Sequence, residues 1–300
     1  RRIGVFTMQA GPGAENAFSG VATAYSDSVP MLCLPVGHPR NSSQVFHFFR
    51  SVQSYAPITK WVEELTTADQ VADVMRRAFS YLKMGRPGPV MVEIPGDIAV
   101  EEFPGAVNYT AVKRATSGAN ARDVAEAAKV LLQASSPMIV AGQGVLYAEA
   151  TDELLELAEL LQVPVSTPLE GKSAFPEHHP LSLGTGAGVM PRPVHTFLQK
   201  ADVILAIGTS LTKHNITAAA IPPGKVIIHA TNDERDINKQ YAADYPILGD
   251  AKLVLRQFVE AAKDLLGGKK RDADGVVAAE IKQGKEAWMQ EWLPKLTSSE

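Results

Sequence analysis

Three hundred residues exceed the usual size of one domain, so two domains with separate cores are the first expectation. Hydrophobic residues make up 45% of the chain and charged residues 21%, a globular balance; a net charge of -4 and no long Lys/Arg-dense stretch exclude a broad nucleic-acid surface. The single cysteine, Cys33, excludes an intrachain disulfide and fits a reducing, cytoplasmic setting, and no apolar run is long enough to span a bilayer.

In chain order, Ile3 to Phe6 reads as a short strand. It is followed by the loop Thr7 to Asn16, TMQAGPGAEN, and by a helix over Ala14 to Tyr25 whose small residues permit close packing. Gly11 and Gly13 remove side chains where a backbone must come close to something, while Pro12 stiffens the bend. The loop is either a ligand-facing turn at a helix N-terminus or an ordinary strand-to-helix turn. Met31 to Val36 is a continuous apolar run of the kind buried in a parallel sheet, which makes strand, helix, strand a parallel unit. Gly37 to Tyr55 is polar and aromatic, without a clean period, and reads as a long ordered loop with a helical turn. Thr67-Ala68-Asp69 offers an N-cap to the helical pattern Val71 to Leu82, and Val90 to Ile94 forms a strand bounded by prolines.

Pro104, Gly105, Ser117 and Gly118 give residues 100–120 the composition of a loop. The expected division is therefore a first domain over 1–107, a linker over 108–120, a second domain over 121–267 and a connecting segment over 268–300. A second alternation runs from helix Asp123 to Leu132, through strand Met138 to Ala141 and the turn Gly142-Gln143-Gly144, to helix Ala150 to Leu161 and a short strand at Val163 to Ser166. Helix His195 to Gln199, strands Val203 to Ile207 and Val226 to Ala230, and helix Ala251 to Leu265 complete a doubly wound α/β pattern. Ligands of such sheets sit at the strand C-terminal ends. Gly142 and Gly144 stand where a glycine turn approaches a phosphate or ribose, and Asn232 and Asp233 stand where a ribose or adenine group is taken, against ordinary strand-end capping. The adjacent His178 and His179 lack a third ligand at a convincing spacing, so no metal site is expected. Trp288 and Trp292, four apart on a helical segment from Ala278 to Leu293, are the kind of pair that packs against a neighbouring domain.

The order of these features resembles the thiamine-diphosphate-dependent enzymes of the acetolactate synthase type. The residues that carry the resemblance are GPGAEN at 11–16, AYSDSVPMLCLPVGHPR at 24–40, PITKW at 57–61 and GRPGPVMVEIPGDI at 85–98. In the second half they are AGQGV at 141–145, LAELLQVPVSTPLEGKSAFPEHHPLSLG at 157–184, ADVILAIGT at 201–209 and ILGDAKLVL at 247–255. The resemblance implies the later part of an aminopyrimidine-binding domain followed by a Rossmann-like central domain. It places Gln9, Gly11, Pro12, Gly13 and Asn16 on the aminopyrimidine side of thiamine diphosphate, although Gln9 stands where the family has a small hydroxyl residue.

It also implies what this chain should lack. The family's catalytic glutamate would precede Arg1, and the Gly-Asp-Gly motif with a downstream Asn, which holds Mg2+ and the diphosphate in a third domain, occurs nowhere in the sequence. The 300 residues are therefore expected to be a fragment that is inactive alone, from a parent that decarboxylates or ligates 2-keto acids as a homodimer or homotetramer. Phe46-His47-Phe48 aligns with the family's Phe-Gln-Glu, and Gly37-His38 replaces a glutamine, so His38, Phe46 and His47 are candidate substrate contacts for a different acceptor or a bulkier substrate. FAD or an adenine nucleotide in the central domain is the further ligand that the resemblance allows. A coenzyme A thioester decarboxylase of the same family and a non-catalytic nucleotide-binding protein are the rival readings.

Overall fold

A computed structural model describes residues 2–213, 216–271 and 275–298. The chain divides into two compact units, Arg1–Thr116 and Ser117–Glu300.

Unit 1 contains β1 (Gly4–Met8), α1 (Pro12–Ser26), β2 (Met31–Gly37), α2 (Ser51–Tyr55), β3 (Trp61–Glu64), α3 (Val71–Lys83) and β4 (Val90–Pro95). Its sheet runs β1-β2-β4-β3, with every pairing parallel. Side chains on a strand alternate between faces, and this alternation splits the core in two. Leu32, Val90 and Val92 point to the face covered by α3 through Val74, Ala78 and Leu82. Cys33 and Met91, each one residue away, point to the opposite face with Ala14 and Val21 of α1 and Tyr55 of α2. The Tyr55 hydroxyl donates to the Ala14 carbonyl at 2.5 Å and so fastens α2 to the start of α1. Burial pushes the Cys33 thiol and the Tyr55 phenol up to about 12 each, which leaves both as neutral core groups.

Strand β3 was absent from the sequence reading for a physical reason. It is a four-residue edge strand, half-buried along its length, and so shows neither an apolar run nor alternation. Its ends are secured by side chains: Trp61 stacks on Tyr81 of α3 with ring centroids 5.3 Å apart, and Glu63 pairs with Arg77.

Unit 2 contains α4 (Ala121–Gln133), β5 (Pro137–Ala141), α5 (Gln143–Tyr147), α6 (Thr151–Leu161), β6 (Val165–Thr167), β7 (Ser182–Thr185), α7 (Arg192–Lys200), β8 (Val203–Ile207), β9 (Val226–Thr231), β10 (Tyr245–Leu248), α8 (Ala251–Leu266) and α9 (Val276–Leu296). The sheet order β10-β9-β8-β5-β6-β7 is parallel throughout and reverses direction between β5 and β8, as in a Rossmann fold. Central β8 is buried at all five positions, which is why it reads as an unbroken apolar run. The outer strands β7 and β10 have four residues each and mixed burial, and they too escaped the sequence reading.

Leu131, Leu154, Leu157, Leu161 and Phe258 place α4, α6 and α8 on one face of this sheet. Helix α8 is well terminated: Asp250 caps its first turn by accepting from the Lys252 and Leu253 amides, and Gly267 closes it at φ +57°. The other face carries α7 and α9, joined through Phe197, Leu198 and Ile281. Helix α9 lies against α7 with Ile281 buried, and with Lys200–Glu280 and Arg192–Glu291 ion pairs at 2.9 and 2.5 Å. Trp288 and Trp292 face each other at 6.2 Å. Among the described residues, no helix is long and apolar enough to cross a membrane.

Candidate functional site

The loop between β1 and α1 lies at the C-terminal end of the unit 1 sheet. Its closure is local: the Ala14 amide donates to the Gln9 carbonyl at 3.1 Å and the Glu15 amide to the Gly11 carbonyl at 2.8 Å. Gly11 has φ +64°, a left-handed conformation that favours glycine, and a methyl group placed on it would meet nothing within 4 Å. Gly13 has a different reason to be glycine, because its Cβ would lie 3.1 Å from Gln9 Cβ. Pro12 opens α1 and Asn16 follows one turn later, so the pyrrolidine ring and the amide share one helix face; both are exposed, as is Gln9. The surface thus presents an apolar wall beside an amide with both a donor and an acceptor, next to an opening that no Cβ fills.

The loop after β2 holds the second group of candidates. Arg40 anchors its root, with its backbone amide and Nε on Asp97 at 3.1 and 2.6 Å, Nη1 on the Thr66 carbonyl at 3.0 Å, and Nη2 on Glu101. The hydrogen bond from Arg40 holds the Asp97 carboxyl below its ordinary range. The ends of β2, β3 and β4 are latched together by this one side chain. His38 stacks on Phe48 with centroids 3.9 Å apart and planes 12° from parallel, whereas Phe46 lies against His47. Phe46 is 81% exposed, and His47 carries φ +83°, a strained value for a histidine. The three sequence-predicted substrate residues, together with Phe48, therefore form two aromatic pairs on one loop.

Glu93 is the member of this end of the sheet that sequence reasoning missed. It lies on β4 and is 7% exposed, with its carboxyl over Gly37: a Cβ at position 37 would come within 2.6 Å of Glu93 Oε1. Burial pushes its pKa up, against the Ser51 hydroxyl and the Val52 amide, which pull it down. A signal was available in VMVEIP at 90–95, where an acid interrupts a buried apolar strand.

In unit 2 the turn after β5 faces the protein itself. The Gly142 amide donates to the Ile207 carbonyl at 2.9 Å and the Gly144 amide to the Gly208 carbonyl at 2.7 Å. A Cβ on Gly144 would lie 2.7 Å from Gly208 Cα, and one on Gly171 would lie 2.5 Å from the Ala141 carbonyl oxygen. The crevice between β5 and β8 is thus a seam of backbone against backbone. Asp233 is buried and takes Arg235 on both oxygens, at 2.9 and 2.7 Å, while also capping the following turn; Asn232 beside it is exposed. His179 donates from Nε2 to Glu159 at 3.2 Å and accepts from the Leu181 amide at Nδ1, so it is a packing residue of its loop. No group of three or more His, Cys, Asp or Glu side chains among the described residues could hold a metal ion.

Comparisons with known proteins agree with this architecture. Residues 1–73 match the N-terminal TPP binding domain of thiamine pyrophosphate enzymes, and residues 124–258 match the central domain of the same enzymes. The chain is 34% identical over 298 residues to the probable acetolactate synthase large subunit of Methanocaldococcus jannaschii, covering 96% of this chain and 48% of that protein. It is 33% identical over 266 residues to the acetolactate synthase of Mycobacterium bovis, covering 86% of this chain and 43% of that protein. The chain thus spans about half the length of the curated relatives it matches. Among solved structures, benzoylformate decarboxylase from Polynucleobacter necessarius superposes with a TM-score of 0.75 at 22% identity, over 86% of this chain and 49% of that one, a likeness of fold. With both domain models matching in order and the parallel sheets they require in place, the chain belongs to the thiamine pyrophosphate enzymes.

Proposed function

We propose that this chain is part of an acetolactate synthase-like enzyme that decarboxylates or ligates 2-keto acids with thiamine diphosphate. The observation that carries the reading is the ordered match of the two domains of one enzyme family, together with the open Gly11 loop at the C-terminal end of the first sheet. Thiamine diphosphate, when bound, supplies a nucleophilic carbon for the ketone and a sink for the electrons left when carbon dioxide departs. The residues here would bind and orient it. Pro12 would lie against the pyrimidine ring, Asn16 would pair with its polar edge, and Gln9, Gly11 and Gly13 would shape the opening between them. Phe46 and His47, exposed on the latched loop, would meet the substrate.

Magnesium and the diphosphate would be held by a Gly-Asp-Gly motif with a downstream Asn, which is not among these 300 residues. An FAD or adenine nucleotide in unit 2 would meet Asn232 and the Asp233–Arg235 pair, since the amides of the Gly142–Gly144 turn are committed to β8 and its following turn. The active assembly would be a homodimer or homotetramer. The test is carbon dioxide release by the protein carrying this chain, given pyruvate, thiamine diphosphate and magnesium. Release that depends on the cofactor and falls at least tenfold in Asn16→Ala is expected. Failure to turn over any 2-keto acid would reject the reading.

A further inference from the structure

Helix α3 buries Val74, Ala78 and Leu82 against the unit 1 sheet, and its other side lines a cavity of about 870 Å³. Asp73, Arg76, Arg77, Tyr81 and Met84 enter the lining from the helix and its end, and Lys60 enters from the root of β3. From Asp73 to Met84 the lining follows about 16 Å of helix. A space of this size suits one small molecule, whose usual sites enclose roughly 300 to 1,000 Å³. Lys60 precedes β3 and Met84 precedes β4, so this part of the cavity lies at the N-terminal end of the sheet, opposite the Gly11 loop.

The lining divides into an apolar and a cationic part. Tyr81 is held by its stack on Trp61 and is still exposed, as is Met84 one turn further on. One turn back stand Arg76 and Arg77. Each guanidinium is fixed by an acid: Arg76 Nη1 donates to Asp73 at 2.6 Å, and Arg77 donates to Glu63 from Nε at 3.0 Å and from Nη2. These pairs leave Arg76 Nε and Nη2 and Arg77 Nη1 without a protein acceptor among the described residues. The end of a helix ordinarily repels an anion, because its last carbonyls are unsatisfied. Here Lys60 Nζ donates to the Tyr81 and Met84 carbonyls and offsets that negative end. Lys60, Arg76 and Arg77 thus outweigh Asp73 around a space whose remaining wall is apolar.

We propose that this cavity binds an organic carboxylate with an apolar body, its head on Arg76 and Arg77 and its body along Tyr81 and Met84. The guanidinium fork matches the two oxygens of a carboxylate, and its fixed plane lowers the cost of ordering on binding. The site is independent of the function proposed above.

The cavity is tested on the 300-residue chain with 13C-methyl methionine, in which the Met84 signal is identified by its loss in Met84→Leu. Octanoate is the probe, titrated below micelle formation, with acetate as the head alone and 1-octanol as the body alone. A saturable shift of Met84 is expected with octanoate, while the signal of core Met91 stays in place. Acetate and 1-octanol should bind at least tenfold more weakly. Arg76→Gln should weaken octanoate fivefold or more, and the double variant Arg76→Gln, Arg77→Gln tenfold or more. Added salt should weaken it as well. The proposal is overturned by no saturable shift, by an equal response to 1-octanol, by all methionines shifting alike, or by unchanged affinity in Arg76→Gln, which leaves the Arg77–Glu63 pair intact. Neither thiamine diphosphate nor turnover enters these readouts, so their failure is distinguishable from failure of the activity assay.

Discussion

A methyl group added to Gly11 in unit 1 would meet nothing within 4 Å, whereas one added to Gly144 in unit 2 would come within 2.7 Å of Gly208 Cα. Both glycines follow a parallel strand and stand at the start of a helix, so their sequence contexts are similar, although β1 is an exposed edge strand and β5 is buried. In unit 1 the missing side chain leaves an opening beside exposed Pro12 and Asn16. In unit 2 it lets two backbone segments meet. A glycine turn after a strand therefore reports close approach, and the partner of that approach can be a ligand or the protein's own chain.

The sharpest way to break this comparison is substitution at the seam. Gly144→Ala should destabilise unit 2 by about 3 kcal/mol, because the atoms it strikes are backbone with no rotamer to yield. Urea denaturation followed by circular dichroism would show it as a lower midpoint, and an unchanged midpoint would mean the seam is loose.

The two units should also respond to pH in opposite senses. Glu93 in unit 1 has its pKa raised from 4.5 by burial, so the folded state holds a proton that the unfolded state releases. Stability is then lost as pH rises from 4.5 through the folded value, at up to about 1.4 kcal/mol per pH unit, and Glu93→Gln should flatten that fall. His229 in unit 2 is buried, donates from Nε2 to the Thr209 carbonyl at 2.9 Å, and has its pKa lowered from 6.5 by desolvation. Here the unfolded state binds the extra proton, so stability is lost as pH falls below 6.5. Melting curves across this range in the parent and in Glu93→Gln would separate the two contributions.

Smaller effects fall at the open loop. Gly11→Ala should cost about 1 kcal/mol, from the left-handed backbone alone. Asn16→Ala, exposed and free of core contacts, should change stability by no more than about 0.5 kcal/mol while weakening cofactor binding, as read by titration calorimetry of the loaded protein. A large loss of stability in Asn16→Ala would instead make that residue structural.

The central strands of both sheets were legible from sequence because burial on two faces removes polar residues, as in Met31 to Val36 and Val203 to Ile207. The edge strands β3, β7 and β10 were not, since four half-buried residues carry no period. At the site, GPGAEN marked the loop, yet nothing in the motif distinguishes the opening at Gly11 from the local packing at Gly13. The latch made by Arg40 and the carboxyl of Glu93 depend on pairings 57 and 61 residues away or on a glycine in the neighbouring strand, and such distances leave no local pattern. Residues 268–300 read as a connector because the apolar positions of α9 are sparse; one buried residue, Ile281, and two ion pairs suffice to seat it.

The placement of the tryptophans has a practical consequence. Trp61 is stacked on Tyr81 in unit 1, while Trp288 and Trp292 sit together on α9 in unit 2. Replacing the α9 pair by phenylalanine would leave a fluorophore in unit 1 alone, and replacing Trp61 would leave signals from unit 2 alone. The chain can thus report on each unit separately by its own emission, without an added label.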